Sequence, residues 1–133
     1  YALPAALSAA LIRPEAVTVA FVGDGGFMMT GQELSTAAAE GLALKVVLCD
    51  NQGLGTILMH QLRVYGPGHE FAVELESPDF LKLARAYGAA AFPVAETEEF
   101  APAFDAALAH DGPALVHLKL DRRDISAFGR LER

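Results

Sequence analysis

Two apolar runs that each end in a short acidic or amide turn constrain this chain more than any other feature. Val17 to Val22 leads into Gly23-Asp24-Gly25-Gly26, and Lys45 to Cys49 leads into Asp50-Asn51-Gln52-Gly53. Both runs have the β-branched and aromatic character of strands. Between them, Gln32 to Glu40 is rich in helix formers and closes on Gly41. Asp24 and Asn51 lie 27 positions apart, room for one helix and one strand and little more. The predicted unit is therefore strand, turn, helix, strand: a crossover between parallel strands. A right-handed crossover sets two such strands side by side or one apart, with their carboxyl ends on one edge of the sheet. Asp24 and Asn51 are thus expected to face one crevice.

The residue types at that crevice suit a particular ligand. A carboxylate, an amide oxygen and a carbonyl from the loop Gly53-Leu54-Gly55 make three hard oxygen ligands for a small divalent cation such as magnesium, which keeps further places for phosphate oxygens. Glycines at 25, 26, 53 and 55 let backbone N–H groups approach an anion with no Cβ in the way. Open α/β sheets bind cofactors at this edge. The unit suggests a metal-bridged diphosphate. Gly-Asp-Gly by itself is also a common plain turn; what sets this one apart is the second turn at this spacing, each behind an apolar strand.

Gly23-Asp24-Gly25, with Asn51 following, closely resembles the thiamine diphosphate motif of the acetolactate synthase and pyruvate decarboxylase group. The flanks Gln32-Glu33-Leu34, Gly55-Thr56-Ile57 and Pro78-Asp79-Phe80 also resemble that group's diphosphate-binding domain, so nearly the whole chain is covered. The resemblance implies a three-layer α/β/α fold with a mainly parallel sheet, the thiamine diphosphate-binding fold. It implies that Asp24, Asn51 and the Gly53 carbonyl hold Mg2+, and that Gly25, Gly26, Gly55 and Thr56 line the diphosphate, with Gly23 and Leu54 in the same two turns. The family usually carries two asparagines before the second turn. This chain has Asp50 and then Asn51, which leaves the metal set intact and adds a carboxylate beside it.

Composition narrows the partners. More than half of the 133 residues are apolar, at 53%, yet Pro4, Ser8 and Arg13 break the longest apolar stretch well short of a bilayer span. An interface with another domain or subunit is the expected burial place for the surplus. A net charge of −7 argues against nucleic acid and against anionic membranes. The lone Cys49 excludes an internal disulfide, suits a reducing, cytoplasmic compartment, and is read as a small buried hydrophobe. The chain opens on Tyr1-Ala2-Leu3 with no methionine and no secretory signal, so the expectation is one domain, residues 1–133, of a longer three-domain enzyme.

Along the chain, Pro4 to Ile12 reads as a buried helix with Pro4 at its first position. Phe27-Met28-Met29 read as core, and Thr30 or Gly31 as the cap of the helix from Gln32, with Glu33 answering its dipole. Thr56 to Arg63 has helical spacing and aims its first N–H groups at the crevice; His60 on it reads as a surface residue. Tyr65 to Ser77 is a solvent loop in which His69 and Glu70 are weaker candidates for substrate contact. Ser77 is expected to cap a helix with Pro78 at its first position and Phe80, Leu83, Ala84 and Tyr87 as its apolar stripe. Ala89 to Val94 is a third strand. Thr97 is expected to cap a helix whose buried face is Phe100, Ala103, Phe104, Ala107 and Leu108. Ala114 to Leu120 is a fourth strand, with His117 as a solvent or edge residue, and Asp121 to Arg133 a charged, loosely held tail.

By resemblance, the complete enzyme splits or joins carbon bonds next to the carbonyl of a 2-oxoacid as a decarboxylase or carboligase. It is a homodimer or homotetramer, and the residue that activates the cofactor belongs to a pyrimidine-binding domain of the same or a neighbouring subunit. No residue here takes that role, so the isolated chain is expected to be inactive. The alternatives are a small subunit of a two-chain decarboxylase, or a non-catalytic assembly module of the same fold. A nucleotide-binding domain of another type would carry a phosphate-loop lysine or Gly-x-Gly-x-x-Gly, and Gly23-Asp24-Gly25-Gly26 is neither.

Overall fold

The computed structural model describes residues 1–126, 129 and 130. Four parallel strands form the sheet: β1 (Thr18–Gly23), β2 (Leu44–Asp50), β3 (Ala90–Val94) and β4 (Ala114–Lys119), in the order β1-β2-β4-β3. The two strands read from the sequence lie side by side, with Gly23 opposite Cys49. Six helices flank them: α1 (Ala2–Ile12), α2 (Asp24–Thr30), α3 (Glu33–Ala39), α4 (Gly55–Tyr65), α5 (Phe80–Ala86) and α6 (Phe100–Ala109). A short hairpin, β5 (Asp124–Ser126) with β6 (Gly129–Arg130), follows. Among the described residues no helix is long and apolar enough to cross a membrane.

Side-chain alternation along the central strands divides the core in two. Val46, Leu48 and Leu115 face α1, α3 and α5, together with Leu3, Leu7, Phe27, Leu34, Phe80 and Ala84. Ala114 and Val116 face the other way, toward α6, with Val94 and Ala107. Helices on both faces of a parallel sheet make the three-layer α/β/α arrangement, and they explain why β2 is buried from Leu44 to Leu48 without a break. Lys45 sits in that run because its Nζ donates to the His110 and Gly112 carbonyls, at 2.6 and 2.8 Å, where α6 ends.

Several local expectations are corrected. Gly23-Asp24-Gly25-Gly26 is not a free turn: Gly23 is extended, and Asp24 already begins α2. Within α2 Phe27 is fully buried, whereas Met28 and Met29 face outward. Helix α1 buries one face only, through Leu3, Ala6, Leu7 and Ala10, and leaves Leu11 and Ile12 exposed; Pro4 is its third residue. No side chain caps α3, and its N-cap position is Gln32. Asp79, not Ser77, caps α5 by accepting from the Lys82 N–H at 3.0 Å. Glu96 and Glu99 form a reciprocal capping box around the 3₁₀ turn Thr97–Glu99, so α6 starts later, at Phe100, and Leu108 on it is partly exposed. Cys49 is half-buried. The tail reading falls partly on residues 127, 128 and 131–133, outside the described residues; within them Arg122 pairs with Glu74 at 3.0 Å.

Candidate functional site

The carboxyl ends of β1 and β2 meet at a cleft of about 190 Å³ lined by Gly23, Asp24, Gly25, Gly26, Gly53, Leu54, Gly55, Thr56 and Ile57. Eight of the nine residues predicted for the site line it. Asp24 is 3% exposed. Its Oδ1 accepts the Gly25 N–H at 2.8 Å and its Oδ2 the Gly53 N–H at 3.1 Å, which ties the two turns together across 29 positions. Burial pushes the Asp24 carboxyl above the usual carboxylate range, the two N–H bonds pull it down, and the nearby charge of Asp50 adds to the rise. None of the ion pairs among the described residues involves Asp24.

The glycines are there for close approach. A Cβ on Gly25 would lie 2.6 Å from Leu54 Cδ2, and one on Gly53 would lie 3.1 Å from the Val73 carbonyl oxygen. That carbonyl accepts the Leu54 N–H, and Leu75 N–H donates to the Gln52 carbonyl. The segment read as a solvent loop therefore returns to brace the second turn. Gln61 of α4 holds it further through both the N–H and the carbonyl of Phe71. His60, His69 and Glu70 are exposed.

Asn51, the ninth predicted residue, is half-buried and lines the adjoining groove with Gly53, Leu54, Gly55, Glu70, Glu74 and Arg122. Gln52 turns the chain there with φ at +56°, so that Gly53 reaches Asp24. Among the described residues no cluster of three or more His, Cys, Asp or Glu side chains stands at metal-binding spacing.

A neighbouring constellation was not foreseen from sequence. His117, read as an edge residue, is buried, because β4 lies between β2 and β3 and α5 covers its face. Its Nε2 bonds Asp50 Oδ2 at 2.9 Å, and its ring meets that of Phe80 edge-on at 5.5 Å. Ser77 Oγ donates to Asp50 Oδ1 at 2.9 Å and the Gln52 N–H donates to the same oxygen at 3.2 Å. Burial alone would raise the Asp50 carboxyl; the bonds from His117, Ser77 and Gln52 outweigh it and hold the group below its ordinary value. Ser77 and His117 both bond Asp50 rather than each other, so this is no nucleophile relay.

A doubly covered parallel sheet with a glycine-lined cleft at the carboxyl ends of two adjacent strands defines an α/β cofactor-binding domain. Residues 1–118 match the family described as "Thiamine pyrophosphate enzyme, C-terminal TPP binding domain", and the chain belongs to that family. It is 38% identical over 121 residues to the acetolactate synthase isozyme 2 large subunit of Escherichia coli (strain K12), covering 91% of this chain and 22% of that protein. It is 39% identical over 124 residues to an acetolactate synthase of Mycobacterium avium, covering 87% and 20% respectively. Among solved structures, the thiamine diphosphate-dependent 4-hydroxybenzoylformate decarboxylase of Rhodococcus jostii RHA1 superposes with a TM-score of 0.84 at 28% identity, over 90% of this chain and 23% of that one. The chain thus spans about a fifth of the length of these relatives.

Proposed function

We propose that this chain binds the diphosphate end of thiamine diphosphate through Mg2+, as the cofactor-anchoring domain of an acetolactate synthase-like enzyme that splits or joins carbon bonds beside the carbonyl of a 2-oxoacid. One observation carries the reading: Asp24 is a buried carboxylate whose partners are two backbone N–H groups and no cation, set in a glycine-lined cleft. A carboxylate offers about four lone-pair sites, so capacity remains for a cation, which would supply the missing positive charge. Magnesium suits one or two carboxylates completed by phosphate oxygens. Asp24 would hold it, with the Asn51 amide oxygen and the Gly53 carbonyl as the further ligands. Gly23, Gly25, Gly26, Leu54, Gly55 and Thr56 would line the diphosphate, and the first N–H groups of α4, which have no partner within the helix, would face it.

When bound, thiamine diphosphate supplies a nucleophilic thiazolium carbon that also serves as an electron sink. This chain's residues bind and orient; activation of that carbon falls to a pyrimidine-binding domain in the same or a neighbouring subunit. The exposed side chains of Ile12, Val17, Phe21 and Met29 offer apolar surface for such a partner to cover. The test is calorimetric titration of the native protein with magnesium chloride and thiamine diphosphate. The expected result is magnesium-dependent binding that weakens at least about tenfold in Asp24→Ala. Equal binding by the variant would overturn the assignment, and 2-oxoacid decarboxylation by this polypeptide alone would overturn the division of labour.

A further inference from the structure

We propose that Asp50 is a positioning residue, which sets the conformation of the turn that brings Gly53 to Asp24; its consequence for cofactor binding rests on the function proposed above. Asp50 is the last residue of β2 and is 3% exposed. Its Oδ2 bonds His117 on β4, and its Oδ1 accepts from Ser77 ahead of α5 and from the N–H of Gln52. Its own carbonyl accepts the Leu120 N–H at 2.8 Å. The carboxylate is thereby held from two separate places, β4 and the segment ahead of α5, and the backbone carbonyl from a third, Leu120, before the side chain grips the next turn.

What it grips is a strained residue. Gln52 has φ at +56°, a left-handed conformation that costs a non-glycine residue free energy and persists only where its surroundings impose it. The Asp50 side chain supplies that imposition through the Gln52 N–H. The Gln52 carbonyl is then directed to the Leu75 N–H, the next N–H, that of Gly53, reaches Asp24 Oδ2, and Leu54 pairs with Val73. With the Asp50 contact gone, the turn is free to relax toward right-handed or extended backbone, which withdraws Gly53 from Asp24 and reshapes the cleft wall.

The geometry also specifies a conservative replacement. Asparagine at 50 keeps Oδ1 for both Ser77 and Gln52. Its Nδ2, in place of Oδ2, donates to Nε2 of a His117 that carries its proton on Nδ1. Asp50→Asn should therefore preserve the turn, and Asp50→Ala should not.

Two readouts test this on the native protein. In the metal-free protein, hydrogen exchange of the Gly53 amide should accelerate about tenfold in Asp50→Ala relative to the core amides of Val46 and Val47, and return close to wild type in Asp50→Asn. In the magnesium and thiamine diphosphate titration, Asp50→Ala should weaken binding about 10- to 100-fold and Asp50→Asn should restore it. Should Asp50→Ala fail to fold, Ser77→Ala, which removes one of the three bonds, should accelerate Gly53 exchange about threefold in the same assay. Gly53 exchange that changes only in step with Val46 and Val47, or an Asp50→Asn variant no better than Asp50→Ala, overturns the positioning role. A wild-type protein that binds neither magnesium nor cofactor overturns the proposed function instead, and the exchange result is independent of it.

Discussion

Gly25→Ala separates the fit of the cleft from the stability of the fold. Gly25 is buried in the first turn of α2, and an added methyl would lie 2.6 Å from Leu54 Cδ2 and 3.2 Å from Leu75 Cδ1. Neither atom is backbone, so the clash is relieved by swinging Leu54 away, at the about 1–3 kcal/mol typical of overpacking. Replacing a helical glycine by alanine returns about 1 kcal/mol, which leaves a net loss of about 0–2 kcal/mol and a fall in Tm of no more than several degrees. Gly41→Ala is the control: its φ is +64° with nothing within 4 Å of the added methyl, so it costs about 1–2 kcal/mol through backbone strain alone. The two variants should melt within a few degrees of each other. Leu54 lines the Asp24 cleft, so only Gly25→Ala should weaken magnesium-dependent thiamine diphosphate binding, by at least about tenfold. Thermal melts and calorimetry on both variants decide it: if Gly25→Ala binds as well as Gly41→Ala, Leu54 is not a wall of the cofactor site.

Stability of the metal-free protein should respond to pH in opposite senses at the two buried carboxylates. Asp50 is held below its ordinary value, so the unfolded chain takes up protons first; its contribution is complete above the unfolded value of about 4 and is lost as pH falls through the folded one. Asp24 is raised, so its ionisation opposes folding as pH climbs from the ordinary carboxylate value through the raised one. In urea titrations across the acid range, Asp50→Asn should flatten the acid-side loss and Asp24→Asn should remove the decline on the rising side; unchanged profiles would sink both assignments. Lys45→Met keeps the buried stem but leaves the His110 and Gly112 carbonyls without their donor, which should cost about 2–4 kcal/mol in urea unfolding. The same change should leave cofactor affinity intact, because Lys45 lies at the opposite end of β2 from the cleft.

Strand β2 was legible because a doubly covered strand is an unbroken apolar run, and β1 because it is apolar along its length although it is an edge strand with Phe21 exposed; their turns were legible because small polar residues there answer a demand on the backbone itself. What escaped is set by tertiary pairing. Gly25 and Gly26 read as room for backbone N–H groups to approach an anion; that Gly25 also sits in a helix and makes room for Leu54 was not visible. The alternation of His117 with lysine suggested a wet face, and nothing local announces that β4 inserts between β2 and β3. The same holds for Asp50, whose partners lie 27 and 67 positions away. Ser77 has the composition of a helix cap and sits two residues before one, yet Asp79 supplies the cap and frees Ser77 for Asp50.

Under the function proposed above, one of the buried polar residues is the one left for a ligand. Among the described residues these are Asp24, Lys45, Asp50 and His117. Lys45 is answered by two carbonyls at the end of α6, and Asp50 and His117 answer each other, with Ser77 and Gln52 completing the carboxylate. Asp24 has only backbone N–H groups, and the charge of Asp50 raises it further. Strand geometry keeps these two acids apart in role. Asp50 shares the side of β2 taken by Val46 and Leu48, the α5 side, where His117 and Phe80 lie. The turn it anchors then separates a cavity of about 440 Å³, lined by Asp50, Gln52, Ser77 and His117, from the glycine cleft. Consecutive residues of one turn thus serve two openings: Gln52 lines the larger cavity and Gly53 the cleft. A divalent cation at Asp24 would relieve both the desolvation of that carboxylate and its repulsion from Asp50. Neutralising Asp50 should accordingly weaken cation binding only slightly through charge, while truncating it should weaken binding strongly through the turn.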